Sequence, residues 1–153
     1  IGQIGGSNDG SDWMRAYLSL GGGKYADVMA IHQYPPTGQS SVESILTTLS
    51  KFKAAFSDSG VGNKPLWGTE GSFGHWSGNG QPNTEQASYV AKQAVLLWSN
   101  GLDRNYWYGY DNKAYGTLCT AQGIDCDPLA LNSGGAYLQS VNWFSNAWSV
   151  SPC

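Results

Sequence analysis

Three glutamates occur in the chain, and their positions sort them. Glu43 falls at the third position of a helix opened by Ser40, where a carboxylate closes a capping box and meets the helix dipole. Glu85 falls in the first turn of another helix and has the same structural explanation. Glu70 has no such role. It ends a strand-like run, between Thr69 and Gly71, and opens onto a glycine- and aromatic-rich loop. The structural reading left for it is an ion pair with Lys64 or Arg104. The functional reading is stronger, because α/β enzymes carry catalytic groups at strand C-terminal ends. His32 and Tyr34 lie two apart at the end of the preceding strand, so both side chains leave the same face. On the face that carries Glu70, the Tyr34 hydroxyl can donate to the carboxylate and hold it ionised and oriented. The competing reading is a buried His and Tyr satisfied by backbone. On the last strand Trp107 and Asp111 share a parity with Gly109. A Trp beside a carboxylate is a floor for the apolar face of a sugar ring. Core packing is the alternative, and for Tyr106, Tyr108 and Tyr110 it is the preferred one. His75 and Trp76, in the loop after Glu70, are candidates for the rim of a cleft. Asp27, Asp58 and Asp103 fall at element boundaries and read as solvated or turn-forming.

The elements that must position these side chains alternate. A short apolar run over 1–5 ends in glycines, and a helical pattern follows, with Asp12 as its cap and Trp13, Met14, Tyr17, Leu18 and Leu20 on its apolar side. It stops at the run Gly21–Gly23. Residues 26–34, 64–70 and 103–110 read as strands, near-continuously apolar in the manner of strands buried on both faces. Helical patterns separate them: 40–59, with Val42, Ile45, Leu49, Phe52 and Phe56 on one stripe; 84–100; and 133–147, with Tyr137, Leu138, Val141, Trp143 and Phe144. Strand and helix thus repeat four times, which predicts right-handed crossovers and a parallel sheet in one domain over 1–153. Long loops follow strands and short turns follow helices, the asymmetry of a ligand-binding face at the strand C-terminal ends. No phosphate-type glycine fingerprint follows a strand. Two architectures fit: a small open sheet, or half of an eight-stranded (β/α)8 barrel.

Composition narrows the ligand. Charged residues make up 12% of the chain, half the usual ~25%, and the net charge is −3 with no run of Lys or Arg. That argues against nucleic acid and against an anionic membrane surface. No apolar stretch approaches the ~20 residues that cross a bilayer. A weakly charged chain rich in Gly, Ser, Asn and aromatics suits a secreted protein that handles neutral polar ligands such as sugars. The cysteines number three. A local bridge Cys119–Cys126 fits an oxidising compartment and leaves Cys153 over; three reduced thiols are the alternative. None stands at zinc-ligand spacing from a His or another Cys, so neither a metal nor a cofactor is expected.

DVMAIHQYPP, KPLWGTEGSFG and DRNYWYGYDN, in this order, resemble the last strands of the clan A glycoside hydrolases, retaining (β/α)8 enzymes, near family 39. The resemblance touches nearly the whole chain and implies strands five to eight, a half-barrel. It implies Glu70 as nucleophile, the IHQYP segment with His32 and Tyr34 beside it, and Trp107 beneath the sugar. The chain departs from that pattern in one respect: it contains no Asn-Glu dipeptide, which in the clan ends the fourth strand with the acid/base residue. The second carboxyl that retention needs, ~5–5.5 Å from the nucleophile, must therefore come from elsewhere. The resulting expectation is a retaining β-glycosidase or endo-glycanase acting on an oligo- or polysaccharide. The alternative is a non-catalytic carbohydrate-binding half-barrel. Four strands leave open edges, so a partner is expected: a second copy, or the missing amino-terminal half.

Overall fold

The structure, a computed structural model, describes residues 10–36, 41–72, 83–110, 118–119, 131–145 and 147. Helix α1 (Ser11–Ser19) and a 3-10 turn (Gly22–Tyr25) lead into β1 (Met29–His32). A second 3-10 turn (Val42–Ser44) runs into α2 (Ile45–Asp58), followed by β2 (Leu66–Gly71), α3 (Asn83–Ser99), β3 (Arg104–Trp107) and α4 (Asn132–Phe144). The three strands form one parallel sheet in the order β1-β2-β3. This is the parallel α/β arrangement the alternation predicts, consistent with a half-barrel. The strand expected over 1–5 lies outside the described residues. The observed strands are shorter than the apolar runs because burial extends past the paired backbone: Gln33 and Tyr34 are buried beyond the end of β1.

One face of the sheet supports the core. Met29 and Ile31 of β1 and Leu66 of β2 pack against Met14, Leu18, Ile45, Leu49, Phe52, Phe56 and Leu97 from the helices. Ile45, Leu49, Phe52 and Phe56 recur at intervals of three and four, so one stripe of α2 meets the sheet. Other helical expectations change. Gly10, not Asp12, is the N-cap of α1, and the Met14 N–H donates to its carbonyl. Trp13 and Leu20 are exposed, because α1 offers only the narrow Met14–Leu18 stripe to α2. Ahead of α2 the Ser41 hydroxyl donates to Glu43 Oε2 at 2.8 Å in the 3-10 turn, a bond between side chains that caps no backbone N–H; Ser40 lies outside the described residues. Lys92 of α3 also reaches Glu43 at 2.5 Å. The Lys92 hydrogen bond, with help from backbone and Ser41, holds the Glu43 carboxyl at about 2. On α4, Leu138, Val141 and Trp143 are exposed, although Phe144 packs on Trp98 of α3 with ring centroids 5.1 Å apart. Between β3, α3 and α4 lies a cavity of about 290 Å³, lined in part by Trp98, Trp107, Tyr137 and Phe144.

Candidate active site

The side on which Glu70 projects is decided by one extra residue in β2. Ala30 and His32 lie two apart on β1 and share a face. Their register partners on β2 are Trp67 and Glu70, three residues apart. Strict alternation would put Trp67 and Glu70 on opposite faces, so the shift between Ile31 and His32 is what returns Glu70 to the side of His32. The extra residue, Thr69, is exposed and turns its hydroxyl to the Ile31 carbonyl at 3.4 Å. The same irregularity appears toward β3, where Gly68 and Gly71 stand opposite Asn105 and Trp107.

Glu70 thus emerges at the C-terminal end of the sheet, away from the helices. The Tyr34 hydroxyl donates to Glu70 Oε1 at 2.8 Å, and His32 Nδ1 lies 3.4 Å from the same oxygen. Both side chains of the His32–Glu70 pair retain partial exposure, so a ligand can reach the carboxylate. Neither cation weighed against a functional Glu70 pairs with it. Lys64 Nζ donates to the Ala26 carbonyl at 2.5 Å, and the Arg104 guanidinium lies over the Trp67 ring, 4.5 Å from its centroid. Asp103 accepts from the Leu66 N–H at 2.8 Å, and Asp58 pairs with Arg15 at 2.5 Å. Among the described residues Glu70 is the single acid at a strand C-terminal end.

Burial lowers the pKa of His32, against the opposing pull of Glu70. The consequence for stability has a definite sign. The unfolded chain protonates this imidazole near its ordinary 6.5, whereas the fold resists the proton to lower pH. His32's contribution to stability is therefore complete above about 6.5 and is lost as pH falls through the folded value. Urea midpoints should drop on acidification through that window, and His32→Gln should flatten that part of the profile. Identical profiles for the two proteins would contradict the assignment.

The structure brings His32, Tyr34 and Glu70 together and places Trp107 elsewhere. Trp107 shares the parity of Asn105 and stands on the helix side of β3, edge-on to Tyr89 with centroids 6.3 Å apart. It is packed against the core rather than set beside the carboxylate. Its neighbour Tyr106 takes the opposite face, approaching Trp67 at 6.4 Å, and Tyr106, Tyr108 and Tyr110 are 45%, 40% and 48% exposed. Core packing, expected for these three tyrosines, is thereby corrected. Trp107, expected on the open face, packs against the core, and the tyrosines, expected in the core, are exposed. His75, Trp76, Asp111 and Cys126 lie outside the described residues. Cys119 is buried and disulfide-bonded. Among the described residues no cluster of His, Cys, Asp or Glu could hold a metal ion. Sequence reasoning passes over Gln33 and Asn105, whose side chains meet across the helix side of β2. The available signal was an amide inside a buried-type strand and a glycine on either side of the Thr69–Glu70 pair.

A parallel α/β sheet thus presents a tyrosine-held carboxylate at the C-terminal end of its middle strand, the arrangement of an α/β enzyme scaffold. The chain belongs to the glycosyl hydrolase catalytic core family, whose model matches residues 2–130. No curated protein matches it. Among solved structures it is similar to a glycoside hydrolase family 128 (subgroup I) endo-β-1,3-glucanase from Amycolatopsis mediterranei, solved with laminaritriose. Identity is 20%, the match covers 91% of this chain and 56% of that one, and the TM-score is 0.62. A glucosidase from Croceicoccus marinus matches at 11% identity over 93% of this chain and 30% of that one, TM-score 0.60. A monomeric β-xylosidase from Caulobacter crescentus matches at 16% identity over 90% and 32%, TM-score 0.60. The chain thus spans a little over half the length of the glucanase. These findings correct the resemblance to clan A near family 39: the matching family is the catalytic core family, the glucanase matches are of family 128, and the described sheet is open. The three motifs that carried that resemblance report how a carboxylate is set at a strand end, a solution not confined to one family.

Proposed function

We propose that this chain supplies the nucleophile of a retaining glycoside hydrolase that cleaves β-glucans, with β-1,3-glucan as the first substrate to test. The single observation that carries the proposal is the Glu70 carboxylate, solvent-reachable at a strand end and fixed by the Tyr34 hydroxyl at 2.8 Å. In the first step a Glu70 oxygen bonds to the anomeric carbon as the glycosidic C–O bond breaks, and the departing oxygen takes a proton from a second carboxyl. In the second step that carboxyl, now ionised, removes a proton from water, whose oxygen displaces Glu70. Tyr34 and a neutral His32 orient the nucleophile without neutralising it.

The second carboxyl would come from protein beyond the described residues. The match to just over half of the glucanase supports this, as do the exposed Leu138, Val141 and Trp143 of α4 and the edge of β3, which pairs on one side only among the described residues. Such apolar surface and backbone call for cover, from the rest of the fold or from a second copy. A disulfide at Cys119 supports a secreted setting. The test is hydrolysis of laminarin by the intact protein, with the anomer of the first product followed by proton NMR. Release of the β-anomer supports the proposal. The α-anomer, or no cleavage of any β-glucan, overturns it.

A further inference from the structure

We propose that Gln33 is the positioning residue that holds the β2 irregularity in register and so delivers Glu70 to the open face; the catalytic half of this statement rests on the nucleophile reading above. Gln33 follows β1 and is buried to 2% exposure. Its backbone N–H donates to the Glu70 carbonyl at 2.8 Å. With its amide nitrogen turned toward the sheet, the side chain donates to the same carbonyl at 3.0 Å and to that of Ile31 at 3.2 Å. The amide oxygen then faces the side chain of Asn105 on β3. One residue thus engages the Glu70 carbonyl twice and ties all three strands together.

The neighbours are shaped around it. A Cβ at Gly68 would stand 2.6 Å from the Gln33 amide, and one at Gly71 would stand 2.7 Å from Gln33 Cγ and from its carbonyl. Both contacts are too short for any real side chain, so the two glycines leave β2 bare where Gln33 crosses it. Gln93 of α3, itself fully buried, donates from Nε2 to the Gln33 carbonyl at 3.2 Å, which fixes the crossing from the helix side. On the other flank the Tyr108 N–H donates to the Gly71 carbonyl at 2.9 Å. The carbonyl of Glu70 is therefore held by Gln33 from two atoms, and its side chain is left to project onto Tyr34 and His32. Without the clamp, a slip of β2 by one residue restores ordinary alternation and turns Glu70 into the helix layer.

The test uses a readout independent of catalysis. His32 feels Glu70 directly, so its titration by NMR reports whether the carboxylate is in place; its resonances are assigned by their loss in His32→Gln. Gln33→Met keeps the side-chain volume and removes the amide. It should lower the His32 pKa about as far as Glu70→Gln does, since both take the carboxylate away from the imidazole. In the intact, active protein the same change should reduce kcat toward the level of Glu70→Gln with little change in KM, because the nucleophile has left the open face. If Gln33→Met does not fold, Asn105→Ala releases only the far end of the amide and should move the His32 pKa in the same direction by less. Folded variants in which His32 titrates as in wild type, whatever their melting temperature, overturn the proposal. Should Glu70→Gln retain full hydrolysis, the nucleophile reading fails, and the titration still decides whether Gln33 places the carboxylate.

Discussion

Replacing Glu70 by glutamine should reduce kcat/KM of the intact protein on β-glucan by on the order of 10⁴–10⁶, the scale on which hydrolases lose rate when their nucleophile is removed. The substitution is nearly isosteric. Its amide oxygen can still accept from the Tyr34 hydroxyl, which donates to Glu70 at 2.8 Å in the wild type. What is lost is the negative oxygen that attacks the anomeric carbon, and no other described acid stands at a strand C-terminal end to replace it. The fold should survive, because Glu70 is partly exposed and takes no part in the hydrophobic core. A melting temperature within a few degrees of wild type, with hydrolysis abolished, is the expected pair of results. Retained hydrolysis would move the nucleophile elsewhere.

The largest effect on stability should come from Phe52→Ala. Phe52 is 1% exposed and is the largest fully buried side chain among the described residues. It packs with Phe56 at a centroid distance of 6.1 Å, between α2 and the helix face of the sheet. Truncation removes the transfer free energy of a benzyl group and leaves a cavity that α2 cannot close without breaking its other contacts. Such changes cost about 3–5 kcal/mol. Against a total stability of about 5–15 kcal/mol, that is a large fraction. It corresponds to a fall in melting temperature on the order of 10–15 °C at this chain length. An unfolding free energy from urea titration within about 1 kcal/mol of wild type would show that α2 does not anchor the sheet as described.

The parallel sheet and the pairing of His32, Tyr34 and Glu70 were legible because they rest on short-range rules. Side chains two apart on a strand share a face, and a carboxylate that caps no helix needs another explanation. The faces of β3 were not legible. Trp107 and its neighbouring tyrosines are all large and aromatic, so composition cannot say which parity faces the helices; contact with Tyr89 decides it, and Tyr89 lies on α3. The irregularity in β2 was hidden for a related reason. Its sequence, LWGTEG, brackets the extra residue with two glycines, but what they make room for shows only once Gln33, from another strand, is seen crossing Gly68 and Gly71. Exposure on α1 and α4 also escaped the helical pattern, which reports apolar residues without showing whether anything covers them. Trp13, Val141 and Trp143 fit the apolar stripes and are nonetheless exposed.

The central claim, that Glu70 is the nucleophile, is tested most directly by trapping the covalent intermediate. A β-glucosyl donor with fluorine at carbon 2 and a dinitrophenolate leaving group slows both steps while making departure independent of any acid. The glycosyl-enzyme then accumulates even where the second carboxyl is missing. Digestion and peptide mass spectrometry should find one 2-fluoroglucosyl ester, on the peptide that contains Glu70, and none in Glu70→Gln. An ester on any other carboxylate, or hydrolysis of the donor by intact protein with no ester formed at Glu70, would contradict the account.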